Sequence, residues 1–450
     1  MNGLWLVGAL LAQAPQASGG TPEGETKVET RADLSTSADA QDVGQGLPVL
    51  TFQEALKEAE AKNTDWKQAQ ARLDQAHEAG NKAWAGYLPN LSVAGTYTRN
   101  SNQVEIELPG VGTIPIQKYN QFGARAQVTQ ALIAPTLWSG IKAAYQSEKV
   151  AELNTENLRR EILFGVAQAY YGAAALREAA RVQQQQLDLN KAREHDAEVR
   201  FKAGASPKIA MLRAQIDLSK AEQDVQRATN AYLAAKSGLA TLLAREPDFE
   251  VVQPQTPAAP EGDEESLVKT AQTERADLLA AEETTALTRT QHTGAWLAFL
   301  PTLGATGQYL WSNSAGFSGT ATSWNIVLGL NWTLWDGGLR ESGLRETSAR
   351  IVESDAALEG LRLKTRDEVR QALLELGSAR ANKVKAAQAA GLAKENLALV
   401  HASVQAGAGT YLDEEDATTQ LISSELAVVS ETLNESLAVL KVAKAAGTFK

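Results

Sequence analysis

Two spacings of apolar residues take turns along this chain. In the first, apolar positions recur at gaps of three and four. Leu158, Ile162, Val166, Ala169, Ala173, Leu176 and Ala180 mark one face of a helix. In the second, they alternate singly with small or polar residues, as Leu91, Val93, Gly95 and Tyr97 do with Ser92, Ala94, Thr96 and Thr98. The helical runs are long. No proline interrupts Thr136 to Lys202, and at ~1.5 Å per residue this predicts a helix of roughly 100 Å, longer than a globular core needs. Gly204 ends it. Ser206 and Pro207 follow, one able to cap a helix and the other to open one. The next run carries Leu218, Val225, Ala228, Tyr232, Ala235, Leu239 and Leu242 at gaps of three, four and seven. Together the two runs predict a long antiparallel helical hairpin with coiled-coil spacing.

The plan is then stated a second time. Trp84-Ala85-Gly86-Tyr87-Leu88-Pro89-Asn90-Leu91 returns 212 positions on as Trp296-Leu297-Ala298-Phe299-Leu300-Pro301-Thr302-Leu303. Gly95 and Tyr97 return as Gly307 and Tyr309. Each copy must bury the same face in the same way, so the repeat sets the fold. A helical region spans 50–84, and its counterpart runs from Ser266 to Trp296. A second proline-free helix runs from Leu339 to about Val404, Gly407 and Gly409 break it, and Leu426, Val429, Leu433, Leu437, Leu440 and Ala443 mark a final helix. Pro247, Pro254, Pro257 and Pro260 mark a connector over 245–265. The expected organisation is therefore a first repeat over 49–244 and a second over 266–446.

Four segments alternate with the period of a strand. Besides the one at Leu91, these are Phe122 to Thr129, Thr302 to Trp311, and Trp324 to Trp332. One face is apolar and the other small or polar, over about ten residues, which is the signature of a membrane-spanning β-barrel strand. Trp324 and Trp332 stand near the two ends of one apolar face and are the expected lipid-facing interfacial aromatics. A soluble sheet with one buried face would show the same alternation. Four strands cannot close a barrel, and open edges cannot stand in lipid. A barrel of these strands must be shared between subunits. No run reaches the ~18 consecutive apolar residues of a membrane helix.

The amino terminus reads as a signal peptide over 1–17, a short apolar run from Leu4 to Ala12 that ends in small residues. Residues 18–48, rich in Gly, Ser, Thr and acids, read as a disordered linker. Over 450 residues the net charge is −11, with basic residues interleaved among acids. Clustered cations for phosphate contact are missing, which argues against a nucleic-acid partner. There are no cysteines, so disulfides and an N-terminal lipidated cysteine are excluded. His77, His195, His292 and His401 show no metal-ligand spacing, and no nucleophile or phosphate-loop motif is present. The chain is expected to be no enzyme and to need no metal or other cofactor.

Taken together, these features resemble the TolC family of outer-membrane efflux proteins. The resemblance covers about residues 50–445. It rests on the duplicated helix–strand–strand–helix plan, on the twin L-P-x-L strand starts, and on Leu334-Trp335-Asp336-Gly337-Gly338. It rests also on two helix tips 203 positions apart, Phe201-Lys202-Ala203-Gly204-Ala205-Ser206-Pro207 and Val404-Gln405-Ala406-Gly407-Ala408-Gly409-Thr410-Tyr411-Leu412-Asp413. The resemblance implies a mainly α fold with a transmembrane β part. In it a homotrimer builds a periplasmic α-barrel tunnel and a twelve-stranded β-barrel, four strands from each chain. It implies a passive duct for efflux or type I secretion, served by a periplasmic adaptor and an inner-membrane pump. Asp413 and Asp416 match the acids that ring the periplasmic gate in the family. Gly204, Ser206, Pro207, Gly407, Gly409 and Thr410 lie in the tips that meet the adaptor, and Arg125 and Gln127 are expected to line the barrel lumen. The competing expectation is a soluble periplasmic coiled-coil scaffold or adaptor.

Overall fold

A computed structural model describes residues 46–110, 112–314 and 320–449. The signal peptide and nearly all of the linker expected at the amino terminus lie outside the described residues. The first repeat runs β1 (Val49–Leu50), α1 (Phe52–Lys62), α2 (Thr64–Ala85), β2 (Asn90–Arg99), β3 (Val104–Leu108), β4 (Gly112–Gln117), β5 (Asn120–Ile133), α3 (Pro135–Lys202) and α4 (Lys208–Leu242). After β6 (Glu250–Val251) the second runs α5 (Glu264–Glu274), α6 (Ala276–Leu297), β7 (Thr302–Ser312), β8 (Thr322–Asn331), α7 (Leu339–Gln405) and α8 (Tyr411–Ala445).

The two long helices form as the spacing predicts, with 68 residues in α3 and 67 in α7. Pro135 opens α3, where its missing N–H costs nothing. Three features differ from the sequence expectation. The helical region over 50–84 divides at Asn63, whose side chain accepts from the N–H groups of Asp65 and Trp66 and so starts a new helix. The matching region in the second repeat divides at Arg275. The connector is not bare: β6 pairs in parallel with β1, and Phe249 and Val251 are fully buried. Finally, a β3–β4 hairpin stands between β2 and β5, outside the four alternating segments.

Two small cores hold the helices together, and they use equivalent positions of the two repeats. Ala59, Val166, Leu239 and Leu243 lie in one. Ala271, Val369, Val442 and Ala446 lie in the other. Alanine recurs in both because it lets helix axes approach closely over a long contact. Tyr170 fastens the first core, its hydroxyl donating to the carbonyls of Leu50 at 2.8 Å and Val252 at 3.0 Å.

The four strand candidates form one antiparallel sheet in the order β2-β5-β7-β8. Register places like with like. Val93, Ala126, Tyr309 and Trp324 stand in one row across the sheet, and Ser92, Gln127, Gln308 and Asn325 stand in the next. Because the side-chain period is two, every row of the first kind lies on one face and every row of the second on the other. Nothing among the described residues covers the apolar face. Trp324, Ile326, Leu328 and Leu330 are between 67% and 72% exposed.

Candidate functional site

The helix tips are built the same way twice. At the first, the N–H of Gly204 bonds the carbonyl of Phe201 at 2.9 Å, and that of Ala205 bonds Arg200 at 2.9 Å. At the second, Gly407 bonds Val404 at 3.1 Å and Ala408 bonds Ser403 at 2.9 Å. Each is a Schellman stop, and each needs a residue with positive φ. Gly204 supplies +73° and Gly407 supplies +76°. Gly409, the other glycine expected to break the helix, does not have a positive φ. It is small for another reason: a Cβ there would sit 3.0 Å from Cγ2 of Val404 and 3.2 Å from its backbone nitrogen.

The two helices beyond the tips start differently. Ser206 does not cap, contrary to expectation. Pro207 occupies the N-cap of α4 and no side chain bonds there. At the equivalent position, Thr410 caps α8 in a reciprocal box with Asp413. Thr410 Oγ1 donates to Asp413 Oδ2 at 2.7 Å and its N–H at 2.9 Å. These bonds from Thr410 hold the Asp413 carboxyl below the ordinary aspartate range.

The four acids after the second tip divide by face. Asp413 is exposed, and Glu414 is nearly buried and turns toward the other helices. Asp416 lies three positions after Asp413, on the same side of α8. The Glu414 Oε1 accepts from Arg193 of α3 at 3.1 Å and lies 2.8 Å from Nδ1 of His401 on α7. Arg193 also donates to Thr418 at 2.7 Å. Tyr411 donates to Asp217 of α4 at 2.8 Å. Beside it, burial, the charge of Asp217 and a bond to that side chain, then the charge of Asp416, raise the Glu415 carboxyl above the usual range. The two hairpins are thus tied near their tips by Arg193 with Glu414 and Thr418 and by Tyr411 with Asp217, while His401 braces Glu414 within the second hairpin. Sequence reading missed the parts of Arg193, Asp217, Tyr411 and Thr418, because their partners lie in different hairpins and no local spacing joins them.

In β5, just before α3 begins, Arg125 pairs in register with Ala94 and Leu310, and Gln127 with Ser92 and Gln308, on the small and polar face of the sheet. Trp324 stands in β8 on the apolar face, opposite Tyr309. Trp332 falls one residue beyond β8, and its indole N–H donates to the carbonyl of Phe299 at 3.0 Å. Eight residues at ~3.3 Å each put the two tryptophans roughly 26 Å apart along the strand direction, close to the ~25 Å apolar band of outer-membrane barrels.

A family model described as outer membrane efflux protein matches residues 55–245 and 267–448. Outer membrane protein TolC of Escherichia coli is 22% identical over 423 residues, 88% of this chain and 82% of that protein. Outer membrane protein OprJ of Pseudomonas aeruginosa is 24% identical over 465 residues, 97% of this chain and 94% of that protein. Among solved structures, the Campylobacter jejuni CmeC outer membrane channel superposes with a TM-score of 0.75 at 16% identity, covering 88% of this chain and 85% of that one.

Proposed function

The chain belongs to the outer membrane efflux protein family, and from that footing we propose that three copies assemble into one passive exit duct. It is an outer-membrane channel of the efflux or secretion type, mainly helical with a β part. The observation that carries the trimeric reading is the open sheet. β2 and β8 are its edges, and the apolar face is bare. In lipid each unpaired backbone group costs several kcal/mol, roughly. Pairing β8 of one copy with β2 of the next removes both edges. The strands alternate in direction through the sheet, so this junction is antiparallel like the others.

The helices support the same assembly. Val352, Leu363, Leu374, Leu392 and Leu399 on α7 are each more than half exposed. At ~100° per residue they fall within about 40° of one another. Such a stripe fits a neighbouring copy. In this reading Gln127 and Arg125 line the lumen and Trp324 and Trp332 meet the two lipid interfaces. Asp413 and Asp416 ring the periplasmic gate. The tips at Gly204, Ser206, Pro207, Gly407, Gly409 and Thr410 meet a periplasmic adaptor, which couples the duct to an inner-membrane pump. The duct itself carries out no chemical step and uses no cofactor.

The chain has no cysteine, so a pair introduced on β2 and β8 reports only the designed contact. Oxidation in isolated outer membranes is expected to give a covalent ladder that ends at three chains. A soluble monomer after mild lysis, or a ladder ending at two, would overturn the proposal.

A further inference from the structure

Most of the ion pairs that join distant segments of this protein use arginine or lysine. Glu60 meets Arg159, Glu58 meets Arg245, Glu368 meets Arg275, Asp355 meets Arg289, and Glu282 meets Arg362. Histidine takes that place twice among the described residues. His401 faces Glu414, which Arg193 already neutralises. The other site is different. His77 of α2 faces Glu148 of α3, with Nδ1 2.6 Å from Oε1. Glu152 lies one turn further along α3, on the same face as Glu148. No arginine is bonded to either carboxylate among the described residues. Lys149 is the partner of Glu152, at 2.7 Å on its own helix.

The arrangement has the chemistry of a ligand set. One imidazole nitrogen and one oxygen from each carboxylate lie within 4.8 Å of one another. Two carboxylates at i and i+4 repel, and a divalent cation relieves that repulsion where a lysine relieves only half of it. Imidazole with carboxylate suits zinc and neighbouring transition ions, and three protein ligands leave an open position for water. Arginine and lysine hold helices together but cannot ligate. Histidine at this one joint does both.

We propose that His77, Glu148 and Glu152 form a binding site for a divalent transition ion of the zinc class, clamping α2 to α3. The site joins α2, which leads into β2, to α3, which follows β5. Binding replaces the direct contact between His77 and Glu148 and frees Lys149 to turn into solvent. Sequence spacing hides the site because its ligands come from two helices 71 positions apart.

The test uses the full-length protein in detergent, stripped with EDTA and titrated with zinc chloride by calorimetry. The wild type is expected to bind one zinc ion per chain at this joint, with a matching rise in melting temperature. His77→Ala and the double variant Glu148→Gln/Glu152→Gln are expected to lower that affinity about tenfold or more. Lys149→Gln should tighten it, since no cation then competes for Glu152. His401→Ala, at the other histidine–carboxylate pair, should leave it unchanged. The side chains are partly exposed, so the variants are expected to keep their fold. Equal zinc uptake by wild type and His77→Ala would overturn the proposal. So would the absence of saturable uptake, which leaves a histidine–glutamate ion pair only.

Discussion

Asn63 and Arg275 stand 212 positions apart and break their helices at the same point of the two repeats. Each then reaches the end of a returning helix. Asn63 Nδ2 donates to the carbonyl of Leu242 at 2.8 Å, and Arg275 Nη1 to that of Ala445 at 3.4 Å. Those two carbonyls are themselves 203 positions apart. The same joint is made once with a neutral amide and once with a charged group. Arg275 carries more partners, bonding Asp277 at 2.7 Å and Glu368 at 2.6 Å. Burial alone would push the Asp277 carboxyl up, but the Arg275 guanidinium outweighs it and holds the pKa low.

The two joints should therefore fail differently. Asn63→Ala removes a helix cap and leaves the Leu242 carbonyl unmet, at a cost of about 1–3 kcal/mol. Arg275→Met leaves the partly buried Asp277 carboxylate without its cation and Glu368 with only Lys364, and should cost about 3 kcal/mol or more. Denaturant midpoints of the purified variants check the order. A milder effect at Arg275 would show that water already serves its carboxylates.

A second equivalence exposes a strained residue. Gly447, with φ +74°, ends the second returning helix, and Ala244, with φ +51°, ends the first at the matching position. Alanine in the left-handed region costs roughly 1 kcal/mol. Ala244→Gly should return part of that, raising the melting temperature by a few degrees at most. The reverse change is harsher. A Cβ at Gly447 would lie 3.0 Å from the Arg275 nitrogen and 3.1 Å from the Glu274 carbonyl carbon. Gly447→Ala should therefore lower the melting temperature, and an unchanged value would contradict the close approach.

Protonation should act on the second tip through Glu415. Its carboxyl is raised in the folded protein by burial and by Asp217. The folded state thus holds this proton more tightly than the unfolded one. Its stabilising effect is complete below the ordinary glutamate value and is lost as pH rises through the raised one. Asp413 runs the other way, since Thr410 lowers it, and its support fades only as pH falls through that depressed value. Glu415→Gln should stabilise the protein at pH 7.5 and flatten the gain in melting temperature expected of the wild type on lowering the pH to 5. Parallel curves for variant and wild type would show that Asp217 is neutralised elsewhere.

Charge and cap can be separated at the proposed gate. Asp413 both caps α8 and points outward, so replacing it with alanine would confuse the two roles. The capping box needs only an acceptor for Thr410, and an amide oxygen supplies one without the charge. The informative change is therefore Asp413→Asn together with Asp416→Asn. In planar bilayers the wild type is expected to prefer cations and to be blocked by trivalent ones; the double variant should lose most of both, while the proposed trimer still assembles. Unaltered selectivity would place the constriction elsewhere.

The elements and their order were legible in the chain before any fold was known. The three-and-four spacing, the absence of proline between Thr136 and Lys202, and the alternation from Leu91 to Thr98 are local facts, and local geometry follows from them. The return of Trp84 to Leu91 at Trp296 to Leu303 required that the fold be built twice. Glycine at 204 and 407 marked where the long helices turn. How distant segments meet was settled only in three dimensions. The break at Arg275 has no local cap, and it is held by Glu368 and Ala445 from elsewhere in the chain. β6 exists because β1 lies beside it, two residues against two. The tie from Glu414 to Arg193 spans 221 positions, and that from Tyr411 to Asp217 spans 194. Periodicity tells which face of a helix is apolar, but it carries no record of which other helix that face will meet. That choice is made by packing, where the summed contacts of whole faces outweigh any one residue's preference.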